Sequence, residues 1–244
     1  MSEALLVAPP LSQSRWSFLT AEWRHLCLVN YAVDPARLEP FLPPGLSLDV
    51  VDGEAFVSLV AFDFLHTRVL GVSWPGYRSF PEINLRFYVR EGDRRGVCFI
   101  REFVPKRLVA WLARSLYNEP YAAVPMRSSV RLSDDVWHVE HVLQARGRTQ
   151  RLALSARNVE TIPAESSQAH FFKEHSWGYG RSRSGELTRY EVRHEVWAVY
   201  QLQRWQLDWE FGAVYGPDWA DLARTEPRSV LLAKGSPIRV SGLA

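Results

Sequence analysis

Lysine is the residue type this chain most conspicuously lacks. Lys106, Lys173 and Lys234 are the only three among 29 basic residues, and the rest are arginine. Net charge is lacking too: 29 basic against 27 acidic residues leave +2, which excludes a nucleic-acid binder held mainly by phosphate neutralisation. There are only two cysteines, Cys27 and Cys98, in strand-like apolar contexts 71 residues apart. That excludes a disulfide framework and predicts buried thiols in a reducing cytoplasm. No apolar run reaches 18 residues, and Met1 to Pro10 lacks a cationic start followed by an apolar stretch. The expectation is a soluble cytoplasmic protein with no membrane partner. No dinucleotide or P-loop glycine motif, no G-x-S-x-G elbow and no H-E-x-x-H occurs, so the readiest cofactor, hydrolase and zinc-protease readings fall away. His138 and His141, three apart on a strand, point to opposite faces; no metal site and no cofactor are expected.

What is present is core. Of 244 residues, 47% are apolar and 13% aromatic, enough to bury roughly three quarters of the unfolded surface. No linker or repeat divides residues 1–244, so one domain is expected. Strands are predicted over residues 22–31, 46–51, 55–65, 82–90 and 97–103. Further strands are predicted over 126–132, 136–146, 149–157, 187–200 and 202–209. Asp34-Pro35 opens a short helix to about Leu42, and Asp52-Gly53 reads as a hairpin turn between 46–51 and 55–65. Pro105 opens a helix to about Asn118, and another helix spans about 165–175. Ten or so strands with few helices predict a mainly β fold, a closed or sandwich-like antiparallel sheet.

Two features carry candidate chemistry. Along 82–90 the alternation is clean: Ile83, Leu85, Phe87 and Val89 face one way, Glu82, Asn84, Arg86 and Tyr88 the other. That polar face either lines a cavity, as anchors for a ligand, or looks at solvent. The second is Lys106, in R-E-F-V-P-K-R-L, where a strand hands over to a helix. Apolar surroundings, the helix N-terminus and the permanent cation of Arg107 all favour a neutral, nucleophilic amine. Such a lysine forms Schiff bases. Lys173, in a charged helix beside Glu174, and Lys234, in a polar C-terminal tail, lack that setting.

The P-K-R-L segment resembles the P-K-K-L segment of acetoacetate decarboxylases, in which the first lysine forms the imine and the second is its cationic neighbour. Arg24 to Asp34, followed by L-P-P-G-L, is similar to that family's arginine-bearing strand, and Glu82 falls on one of its glutamates. The resemblance implies an imine at Lys106 tuned by Arg107, a substrate carboxylate on Arg24, and proton transfer by Glu82 during decarboxylation or an aldol-type step on a small oxo-acid. Two departures stand out: the spacing from Arg101-Glu102 to Lys106 is two residues shorter, and a second family glutamate falls near Leu59. The chain as a whole resembles the DUF2071 proteins, through N-L-R-F-Y-V-R at 84–90, Gly96-Val97, A-R-S-L-Y at 113–117, Pro120-Tyr121 and His194 to Trp197. That resemblance implies an acetoacetate decarboxylase-like antiparallel β-barrel with an internal cavity, and homo-oligomers among its relatives. The alternative to an enzyme is a barrel that binds a small apolar or acidic ligand through Asn84, Arg86 and Tyr88. A third reading makes the aromatic loop Trp74 to Phe80 a contact surface.

Overall fold

The computed structural model describes residues 17–116 and 118–241. Met1 to Pro10, read above for an export signal, and Tyr117, inside the helix expected after Pro105, lie outside them. Thirteen strands form one sheet: β1 (Ser17–Val33), β2 (Ser47–Leu48), β3 (Ala55–Val69), β4 (Phe80–Glu91), β5 (Arg94–Val104), β6 (Tyr121–Ala123), β7 (Met126–Ser133), β8 (Val136–Ala145), β9 (Arg148–Thr161), β10 (Trp177–Arg181), β11 (Leu187–His194), β12 (Val199–Asp208) and β13 (Ser229–Ser241). The helices are short: α1 (Arg107–Leu116), α2 (Gln168–Lys173) and α3 (Phe211–Tyr215).

Seven strands run in a ring, β1-β3-β4-β5-β10-β11-β13, which closes because β13 also pairs along most of β1. Pairing is antiparallel except where β5 meets β10 and β6. Beyond β13 the sheet continues through β12, β9, β8 and β7 as a wing. The wing buries one large apolar cluster against the outer face of the ring, with Cys27, Val29, Leu59, Leu85 and Phe87 meeting Val139, Leu154 and Phe211. A second cluster, including Leu28, Phe56, Val60, Phe62, Tyr88 and Trp197, fills the inner side with α2 packed against it. Both faces of β3 and β4 are therefore covered, as the two-sided apolar run of β3 requires.

Several local expectations change. Asp34 caps as read, accepting from the Ala36 N–H at 2.9 Å, but the helix is two 3-10 turns, Pro35–Arg37 and Glu39–Phe41. Pro40 has no N–H to give and disfavours α geometry at Glu39. The 46–51 segment does not pair with β3. Its Ser47 and Leu48 join β4, because Asp49 is drawn to Arg90 and Arg95 at 2.7 and 2.6 Å. The Asp52-Gly53 turn closes a single bridge, Val51 to Glu54. The 187–200 strand ends at His194 and resumes at Val199. The supposed polar tail is β13, with Lys234 held by Glu160 at 2.8 Å, and Lys173 is fully buried against Glu174 at 2.5 Å.

Candidate functional site

The ring encloses a cavity of about 520 Å³. Its walls are mostly apolar: Trp23 and Leu26 from β1, Phe62 and Phe64 from β3, Phe99 from β5, Leu108 and Leu112 from α1, and Val192 from β11. Polar groups gather at one place. Glu82, Asn84 and Arg86 come from the inner face of β4, Glu102 from β5, Glu119 from the loop after α1, Tyr121 from β6 and Tyr190 from β11. The alternation of β4 is what aims its three side chains inward, with Ile83, Leu85 and Phe87 committed to the outer cluster.

Glu82 is held from both sides. The Tyr121 hydroxyl donates to its Oε2 at 2.8 Å and the Asn84 amide to its Oε1 at 3.1 Å. Arg86 donates to the Phe172 carbonyl at 2.9 Å. Four buried polar atoms of these residues have no partner among the described residues: Asn84 Oδ1, Arg86 Nε, Glu102 Oε2 and Glu119 Oε1. Such atoms are rare inside folded proteins because each forfeits its hydration.

Burial dominates the titration of the three carboxyls. It raises Glu82 to about 7, against the Tyr121 and Asn84 hydrogen bonds and the Arg86 charge, which lower it. Glu119 rises to about 8, again by burial first, with the Glu82 charge adding and bonding to Glu102 and Tyr190 opposing. Glu102 lies well above the carboxylate range through burial and the charges of Glu119 and Glu82. Groups poised near neutrality exchange protons readily, as acid and base catalysts must.

Of the residues singled out from sequence, the cavity brings together Glu82, Asn84 and Arg86. Tyr88 shares their face but lies outside the cavity lining, bonded to Ser58 at 2.5 Å and the Phe172 carbonyl at 3.3 Å. Arg24 is paired with Glu22 through contacts of 2.9 and 2.7 Å and is not a lining residue. Arg107 is exposed on α1. Lys106 is half-buried just before α1, its ammonium 5.7 Å from the centre of the Tyr77 ring; Tyr77 lines the cavity and Lys106 does not.

Glu102, Glu119 and Tyr121 escape a sequence reading for identifiable reasons. A register shift in β5 opposite Leu85 and Arg86 reverses the strand's alternation, so that Val97 and Phe99 face inward and then Glu102 does too. Strict period two places Glu102 outward. Glu119 sits in a loop, where no periodicity applies. The available signal is that Glu102 is a lone carboxylate among Ile100, Phe103 and Val104.

Comparison of the whole fold defines the class first. A ring of this topology matches acetoacetate decarboxylase-like structures. The acetoacetate decarboxylase-like enzyme of Sphingomonas wittichii RW1 aligns with TM-score 0.63 at 17% identity, covering 93% of this chain and 92% of that one. Acetoacetate decarboxylase of Legionella pneumophila gives 0.62 at 12%, covering 99% and 92%. The enduracididine biosynthesis enzyme MppR, complexed with pyruvate, gives 0.64 at 14%, covering 99% and 92%. At these identities the likeness is one of fold. The particular family follows from sequence: residues 20–237 match the DUF2071 profile, described as "Uncharacterized conserved protein", and the chain belongs to that family. Uncharacterized protein YqjF of Bacillus subtilis (strain 168) is 34% identical over 108 residues, 43% of this chain. The match spans 44% of the length of that curated relative.

Proposed function

We propose that the chain binds a small molecule with an apolar body inside the ring, its polar end seated on the Glu82, Glu102 and Glu119 cluster. The observation that carries this reading is the set of four partnerless buried atoms in the polar cluster of one apolar cavity, whose wall holds two more, the donor Trp23 Nε1 and the hydroxyl of Thr67. Three of the four, Asn84 Oδ1, Glu102 Oε2 and Glu119 Oε1, are oxygens, and only Arg86 Nε is a donor. A head that donates hydrogen bonds, an amine being the simplest, complements that array better than a carboxylate facing three glutamates and one guanidinium. Because an alkyl amine stays protonated far above neutrality, its binding tightens as the carboxyls lose protons.

The test is a thermal-shift and calorimetry comparison of hexylamine, hexanol, hexanoate and 2-oxohexanoate. Hexylamine is expected to bind most tightly, more so at pH 8.5 than at pH 6, and not to bind Ala113→Trp, which fills the cavity. The reading fails if none of the four probes binds, or if binding survives that variant.

A second reading is favoured by one observation: the Lys106 ammonium lies over Tyr77, a residue of the cavity wall. A ligand carbonyl reaching that rim meets the amine, and an imine there would draw electrons from a small oxo-acid for decarboxylation or an aldol-type step. Borohydride with 2-oxohexanoate then leaves a covalent adduct on Lys106 that Lys106→Arg abolishes. Absence of any mass increase across a series of oxo-acids removes this reading and leaves the first intact.

A further inference from the structure

Two segments beside the cavity expose large apolar side chains close together in sequence. In the β3–β4 loop Leu70 is 68% exposed, Val72 51% and Trp74 55%; on α1 Leu108 and Trp111 are 45% and 55% exposed. Leu70, Trp74 and Leu108 also line the cavity, so these side chains sit on one rim. Trp111 lies three residues beyond Leu108 on α1 and is its neighbour on the helix surface. Large aromatic side chains at half exposure cost free energy in water, and clustered ones mark a surface that is covered in use.

Charge indicates what covers it. From Phe64 to Pro81 and again from Phe103 to Asn118 there is not one aspartate or glutamate. The same two segments hold Arg68, Arg78, Lys106, Arg107 and Arg114, none of which forms an ion pair or side-chain hydrogen bond among the described residues. This stands against a chain whose charges nearly balance. On α1, Arg107, Trp111 and Arg114 fall at i, i+4 and i+7, one stripe of alternating cation and aromatic. A two-fold contact pairing these two segments with their copies would set these cations against themselves with no acid in either segment to answer them. Half-exposed tryptophans on segments whose cations have no acidic partner are instead the pattern of a surface that lies on anionic lipid headgroups.

We infer that the rim formed by Leu70, Trp74, Leu108, Trp111 and the surrounding arginines docks on an anionic lipid bilayer surface, with the cavity opening toward the membrane. This concerns the rim alone and stands whichever molecule the cavity takes. The expectation of no membrane partner rests on the absence of a spanning apolar run, which a protein lying on the headgroups does not need.

The experiment is co-sedimentation of the full chain with phosphatidylcholine vesicles, with and without phosphatidylglycerol, at low and high salt. Binding is expected only to the anionic vesicles and is weakened by salt. Arg107→Gln with Arg114→Gln should lower the partition constant about fivefold for each charge removed, and Trp74→Ser with Trp111→Ser about tenfold or more. Circular dichroism of each variant establishes that it is folded; Arg204→Gln, a charge removed from the wing, serves as control and leaves binding unchanged. The inference is overturned if anionic vesicles do not retain the folded parent chain, or if the rim variants bind as the parent does. It is also overturned if sedimentation velocity shows a dimer that the tryptophan pair dissolves, for the rim then faces a second copy.

Discussion

At the scale of single residues the cavity carboxyls and the buried histidines pull stability in opposite directions with pH. Glu82, raised from 4.5 to about 7, keeps a proton in the native state that the unfolded chain has already released. Its contribution is intact below pH 4.5 and is lost as pH climbs through 7, an amount on the order of 3 kcal/mol. His175 is lowered from 6.5 to about 4 by burial, against the Asp49 carboxylate 3.6 Å away, which favours its charge. It stays neutral in the fold, so stability is lost as pH falls below 6.5. The parent curve therefore mixes the two, and the informative quantity is a difference. Glu82→Gln, measured by urea unfolding, should be less stable than the parent at pH 5, since an amide replaces a satisfied neutral acid, and should gain on it as pH rises to about 7, the difference levelling off above that. A constant difference across that range would mean that Glu82 does not titrate there.

At the scale of elements the ring has a weak seam. β5 and β10 meet in parallel through only two residue pairs, Trp177 with Gly96 and Gly178 with Val97, whereas β1 and β13 pair over most of their length. Two glycines sit at the seam for steric reasons. A Cβ on Gly96 would collide with the Tyr179 ring and come within 2.6 Å of the Trp177 carbonyl, and one on Gly178 would run into the Tyr190 ring. Gly96→Ala must push the strands apart or move Tyr179, which is buried in the outer cluster, and should cost about 2 kcal/mol or more. Hydrogen exchange should show the amides of β10 and β11 opening before those of β1 and β13. Equal stability of Gly96→Ala and parent would place the ring's closure elsewhere. The seam was also the part least readable in advance. β4 follows from its period-two pattern and β3 from a long apolar run, both bounded by turn residues, but β10 reads W-G-Y-G-R, where two glycines carry no face. β13 mixes Lys234, Gly235, Ser236 and Pro237 into its middle, which looks like a tail until its pairing with β1 is seen. The site was half legible for the same reason: β4 alternates and shows Glu82, Asn84 and Arg86, while the shifted register of β5 hides Glu102.

At the scale of the whole molecule one ring separates two interiors that differ in packing. Between ring and wing, Phe87 is wholly buried with Leu85 on one side and Val89 on the other, in a cluster that extends to Leu154 and Phe211. Inside the ring, the second cluster reaches α1 at Ala110 and still leaves about 520 Å³. Core volume is costly to remove where neighbours are fixed, and volume added to a pre-existing void buries apolar surface without displacing anything. Phe87→Ala should therefore destabilise by about 3 to 5 kcal/mol. Ala113→Leu, on the cavity wall contributed by α1, should stabilise by about 1.5 kcal/mol, three added carbons at roughly 0.8 kcal/mol each less the entropy of fixing the longer side chain. Leucine is nearly as good a helix former as alanine, so α1 itself is not penalised. The pair, measured by urea titration at one pH, tests the division of the molecule directly. If Ala113→Leu costs stability as Phe87→Ala does, the space inside the ring is packed and no ligand enters it. A gain in stability together with loss of hexylamine binding shows instead a fold that keeps the space open for an occupant, giving up stability it could have had.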